Sequence, residues 1–161
     1  MQLTALGLCT PLILSVSAFA YLVGSGGGPL ASIAAGEKNT EKGEKILGNS
    51  FVLLVILGLI LTGVLLAANR PMLLAFGASS DTIGYALDYM NIYAIGTLAV
   101  MLTLGLNLFI TGMGFTLTGM LSVLIGAVLN IGLDPLFIFT FGLGVKGAAW
   151  ATVISQVVSC L

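Results

Sequence analysis

The chain has 161 residues, 58% of them hydrophobic and 7% charged, with a net charge of −1 and no histidine. Soluble domains carry roughly 25% Asp, Glu, Lys and Arg, and a globule of this size still exposes about a third of its extended-chain surface, so these side chains cannot cover a water-facing exterior. The composition excludes nucleic-acid binding, electrostatic steering of large charged partners, and any Ser/His/Asp triad or Cys/His zinc site, and it makes bilayer lipid the solvent for most of the outside.

The first apolar stretch runs over residues 3–35. Fully helical, it measures about 50 Å at 1.5 Å per residue, more than a bilayer core. The run "GSGGGP", Gly24 to Pro29, predicts a break there, and its small residues also let neighbouring backbones approach closely. With no lysine after it and no strand before it, this run is not a phosphate-cradling loop. A signal peptide fits poorly, because no basic residue precedes Glu37 and the stretch is about twice the length of an h-region.

Next comes "GEKNTEKGEK", Gly36 to Lys45, which holds six of the eleven charges and is expected to be a solvated hairpin. The second span is expected at 46–68. It is followed by Arg70, a helix-stopping Pro71 and a Ser-Ser-Asp helix start at Ser79 to Asp81. The third span covers 83–110 and the fourth 117–140, joined by the uncharged turn "GMGFTLTG". The last apolar stretch, 147–161, is shorter than the ~20 residues a span needs, so a longer parent protein is expected. Counting Lys and Arg by side sets Lys38, Lys42 and Lys45 against Arg70 and Lys146, which puts the first loop in the cytoplasm.

Ionisable groups inside the spans are Asp88, close enough to a loop to reach the interface, and Asp134. An intramembrane carboxylate costs about 2.5–3.5 kcal/mol on insertion scales and faces a bundle interior or a wet cavity as a rule. Asn130 lies four residues earlier, on the same helical face, and Pro135 removes the donor for the Ile131 carbonyl. Together these oxygens suit a hard cation or a protonatable site, and the alternative is a carboxylate that anchors the helix at the headgroups. Asn107, Thr152, Ser155 and Gln156 are the other polar residues singled out within the spans. Cys9 and Cys160 have no ligand spacing and read as small apolar side chains.

The stretch "LNLFITGMGFTLTGMLSVLIGAVLNIGLDPLFIFTFGLGVKGAAWATVISQ", Leu106 to Gln156, resembles the multidrug and toxic compound extrusion (MATE) family of the NorM and DinF types. Its core is N-x-x-L-D-P-L-F-I-F followed by G-x-G-V-x-G-A-A-x-A-T. The region from Pro11 to Ser50 is similar to the family's second helix and the loop after it, so the likeness covers nearly the whole chain. It implies an all-α polytopic membrane bundle, residues 1–161 forming most of an N-terminal lobe from the second helix to the start of the sixth. The first helix and the C-terminal lobe are expected in a full-length protein.

The resemblance further implies a multi-pass plasma- or inner-membrane antiporter, not an enzyme, that exports amphipathic or cationic drugs in exchange for Na+ or H+. No cofactor and no nucleic-acid partner are expected, and membrane lipid is. The family's cation-binding residues carry over to Asp134, Asn130 and Thr152, with Asp134 and Asn130 as Na+ ligands in a sodium-coupled member, and a cleft-lining amide carries over to Asn107. An acidic residue of the family's first helix has no counterpart here. Thr111 stands where many members have Arg, which weakens the loop-charge signal. Two alternatives remain: a non-transporting membrane scaffold, and a lipid-linked oligosaccharide flippase, whose cavity is expected to carry Arg or Lys.

Overall fold

The structure is a computed structural model of the single chain, and it describes residues 2–161, with side chains from Thr4 onward. Five helices follow one another: α1 (Gln2–Gly36), α2 (Thr40–Ala75), α3 (Ile83–Gly112), α4 (Thr116–Pro135), which continues into a π-turn (Leu136–Thr140), and α5 (Val145–Cys160). No strand occurs among the described residues. The first four, with α4 extended through Thr140, are long and apolar enough to cross a membrane.

Helix α3 is the centre of the bundle, packed on α1 and α2 on one side and on α5 and α4 on the other. Successive helices alternate in direction, so α1, α3 and α5 run parallel. On α1, Ala5, Cys9, Leu12, Val16, Ala20 and Val23 form one buried stripe at three- and four-residue spacing. It meets Ala86, Met90, Tyr93 and Ala94 of α3 and Leu65 and Leu73 of α2 in a single core. Facing outward are Leu53, Ile56, Leu59 and Ile60 of α2 and Leu121, Leu124, Val128 and Ile131 of α4, an apolar exterior suited to lipid.

The "GSGGGP" run does not break α1, which passes through Pro11 and Pro29 without interruption. Its glycines act by proximity. A Cβ on Gly24 would lie 2.7 Å from the Gly105 carbonyl oxygen of α3. At Gly27 it would meet the Phe109 ring at 2.5 Å and Ser50 Oγ at 2.6 Å.

The charged hairpin is shorter than its composition suggests. Asn39 accepts a hydrogen bond from the Lys42 N–H at 3.1 Å and starts α2 one residue on, leaving only residues 37–39 outside helix. The charges then sit on the first turns of α2, where Lys45 pairs with Glu41 at 2.6 Å and Lys42 reaches Glu37 at 3.5 Å. Pro71 likewise does not stop α2, which runs on to Ala75. In lipid an unpaired backbone group costs several kcal/mol, so a helix continues through a residue that would end it in water. Helix α2 therefore extends over 40–75, beyond both ends of the apolar run 46–68.

Candidate functional site

Helices α3, α4 and α5 carry the polar residues singled out from the sequence. Asn130 and Asp134, one turn apart on α4, meet at 3.5 Å, the amide nitrogen donating to Asp134 Oδ1. Both are half-buried. Thr152 of α5 donates its hydroxyl to the Ala148 carbonyl at 2.9 Å, which fixes the side chain on the face turned to Asn130.

From α3, the buried Tyr89 adds a phenol on the side of Thr152 and Asp134. Tyr89 stacks on Tyr93, centroids 6.1 Å apart and planes 13° from parallel. The sequence reading did not single out Tyr89. Its signal was the i, i+4 pair of tyrosines at the start of a span, which places both rings on one face.

Between the same three helices lies a cavity of about 220 Å³, lined by Thr103, Gly126, Asn130, Thr152, Ser155 and Gln156 among others. Ser155 Oγ and Gln156 Oε1 are buried beside it without a hydrogen-bond partner among the described residues. Thr103 crosses from α3 to α5, donating to the Gln156 carbonyl at 3.1 Å. No charged residue lines this cavity. Asn130 thus faces both the carboxylate and the cavity, and Thr152 faces the cavity.

Asn107 lies elsewhere. Its amide donates to the Gly119 carbonyl at 2.9 Å and to Ser122 Oγ at 3.3 Å, tying α3 to the start of α4. Gly119 is 11 residues before Asn130, about 16 Å along the helix axis. The structure joins Asp134 to Asn130, sets Thr152 with Asn130 on one cavity wall, and leaves Asn107 elsewhere.

The donor set is one carboxylate, one amide, one hydroxyl and the Ile131 carbonyl freed by Pro135. No group of three or more His, Cys, Asp or Glu occurs among the described residues. A single carboxylate among neutral oxygens matches one positive charge, a proton or a monovalent cation, better than a divalent ion held by several acids.

A polytopic bundle with a carboxylate and neutral polar groups gathered in its interior is the build of a membrane transporter rather than of a soluble protein. The chain belongs to the MatE family, which it matches over residues 1–136. It is 32% identical over 160 residues to the multidrug export protein MepA of Staphylococcus haemolyticus, covering 99% of this chain and 35% of that protein. To Protein DETOXIFICATION 42 of Arabidopsis thaliana it is 37% identical over 134 residues, 81% of this chain and 26% of that one.

Among solved structures, an inward-facing multidrug resistance MATE family transporter of the MOP superfamily superposes with a TM-score of 0.95 at 31% identity, over 99% of this chain and 36% of that chain. An outward-facing one gives 0.93 at 32% identity, over 98% and 35%. The chain therefore spans about a third of the length of these relatives. It is a multi-pass membrane protein of the multidrug export transporter family.

Proposed function

We propose that this chain supplies the ion-handling lobe of a cation-coupled drug exporter, with Na+ or H+ held by Asp134, Asn130 and Thr152. The observation that carries the reading is the Asn130–Asp134 contact at 3.5 Å, with Thr152 lining the same cavity as Asn130. The rest of the transporter, a first helix and a second lobe, lies outside these 161 residues on this reading.

The chemistry follows from charge. An ionised Asp134 in a low-dielectric interior is destabilised, and a proton or Na+ removes that cost. Turning the Asn130 amide about its Cγ exchanges its donor for its oxygen, so the same residue serves the bare carboxylate as a donor and a bound cation as a ligand. Thr152 contributes its oxygen lone pairs, and Tyr89 a phenolic hydroxyl. A conformation that keeps the carboxylate wet favours the empty state, and one that encloses it favours the occupied state. That difference is the free energy with which an ion shifts a two-state equilibrium.

The neighbouring cavity suits an amphipathic or cationic organic substrate, because its walls combine apolar carbon with neutral hydrogen-bonding groups. Entry of the cation on the Asn130–Thr152 side alters two residues of the cavity wall. Ion and drug therefore compete for one set of side chains, which is what exchange requires. A flippase for a pyrophosphate-linked lipid is disfavoured by the absence of Lys or Arg from this wall.

The test is drug efflux by the full-length parent in proteoliposomes under imposed Na+ and H+ gradients. Asp134→Asn is expected to abolish the gradient dependence. Unchanged efflux and unchanged ion dependence would refute the role of Asp134. Cation-dependent efflux by the 161-residue chain alone would instead overturn both the scaffold reading and the need for a second lobe.

A further inference from the structure

We infer that Gly147 is a positioning residue for the cation site: by seating the first turn of α5 on the backbone of the π-turn after α4, it sets the height at which Thr152 meets Asn130 and Asp134. The inference rests on the reading above that Asp134 handles the ion.

Helix α4 does not simply end at Pro135. Over Leu136–Thr140 the chain widens into a π-turn, with the Phe141 N–H donating to the Leu136 carbonyl at 3.1 Å and the Leu143 N–H to the Phe137 carbonyl at 3.1 Å. Such turns are rare and gather at functional sites. This one begins two residues after Asp134.

Gly147 lies directly against it. A Cβ there would stand 2.8 Å from both the carbonyl carbon and oxygen of Phe137 and 3.0 Å from its Cβ. The obstructing atoms are mostly backbone and cannot rotate aside. Gly147 is itself buried, so α4 and α5 touch main chain to main chain. Thr152 follows five residues later on the same rigid helix, about 7.5 Å along the axis.

The same turn of α5 is held to α3. Lys146 Nζ stands 3.3 Å from Asp88 Oδ2, and the residue after Asp88 is Tyr89. One turn of α5 thus touches both neighbouring helices, by backbone against the π-turn after α4 and by a half-exposed ion pair against α3. A methyl group at 147 must push α5 off α4, and a shift of a few tenths of an ångström displaces the Thr152 hydroxyl relative to Asn130 and the carboxylate. Disturbing the groups that orient a ligand costs about 10–100-fold in ion affinity.

The experiment uses the full-length parent of this chain in detergent, with 13C-labelled aspartate. The Asp134 carboxyl signal, identified by its loss in Asp134→Asn, is followed in a Na+ titration at fixed pH and in a pH titration without Na+. Gly147→Ala is expected to weaken cation or proton uptake about tenfold. Gly132→Ala, on α4 where a Cβ meets nothing within 4 Å, is expected to leave it unchanged.

A folded Gly147→Ala chain with an unmoved midpoint overturns the positioning role. If the unmodified chain has no ion-dependent carboxyl signal that Asp134→Asn removes, the ion-handling reading falls and takes this inference with it. Amide exchange in the unmodified chain provides a reading that needs no variant. Saturating the site is expected to change exchange at Phe141 and Leu143 about threefold or more, the size of a sub-kilocalorie local opening change. Unaltered exchange there, with the carboxyl signal present, overturns the inference even where Gly147→Ala fails to fold.

Discussion

Asn69 of α2 donates its amide to the Asn91 side chain of α3 at 2.6 Å, toward the end where the two helices are joined. Asn69 is buried, so the pair replaces two exposed amides in lipid with one satisfied contact. Side-chain hydrogen bonds between membrane helices are worth about 0.6 kcal/mol on average and up to about 1.7. Asn69→Ala is expected to lose an amount in that range, measured by thermal unfolding in detergent. The double change Asn69→Leu with Asn91→Leu is expected to recover most of it, because no polar group is then left unpaired. A double variant weaker than the single one would mean that the amides do more than bind each other.

The close approach of α1 to α3 predicts an asymmetry among neighbouring glycines. Gly24→Val places carbon against the Gly105 carbonyl, where a Cβ already falls at 2.7 Å, and overpacking of this kind costs about 1–3 kcal/mol. Gly26→Ala enters open space and is expected to stabilise α1 by about 0.5–1 kcal/mol through helix propensity. Detergent melting curves of the two variants should move in opposite directions. Equal destabilisation would point to a flexible hinge at this run instead of a packing contact.

Apolar run length alone located the long helices, and the four-residue spacing of Asn130 and Asp134 alone put them on one face, because both are local properties of a helix. Pro71 and "GSGGGP" misled for a physical reason: their helix-breaking strength is calibrated in water, whereas a membrane segment has no solvent to accept the freed backbone groups. The Asn39 cap, which moved the start of α2 back to Thr40, was present in the sequence as an Asn ahead of a Glu–Lys i, i+4 pair. Tyr89 beside Thr152, the seat of Gly147 on Phe137 and the unpaired Ser155 and Gln156 all depend on the register between helices. No periodicity within one segment carries that information.

Asp88 is not a free interfacial carboxylate, since it holds Lys146 of α5 at 3.3 Å with both side chains about half exposed, 45% and 53%. Pairs of this kind contribute about 0.2–1 kcal/mol and are screened by salt. Lys146→Gln is expected to cost no more than that at low ionic strength and to be indistinguishable from the parent at high salt. Exchanging the charges, Asp88→Lys with Lys146→Asp, should restore the low-salt value. A salt-independent loss would assign the effect to the aliphatic stem of Lys146 rather than to its charge.

Asp134 should separate stability from activity. If the carboxylate is kept for ion handling, it is a cost to the fold, because a charge within a span carries a penalty of up to about 2.5–3.5 kcal/mol at the helix centre on insertion scales. Asp134→Asn removes the charge and keeps the contact with Asn130, so the variant chain is expected to melt at the same temperature or higher. Asn130→Ala is expected to melt lower, since it strips the carboxylate of its amide neighbour at 3.5 Å. Thermal unfolding of the three chains under one set of conditions gives the order. If Asp134→Asn melts well below the parent, the carboxylate is an anchor of α4 and its polar setting is structural. The opposite order ties the residue to function, since groups that weaken a fold persist where activity needs them.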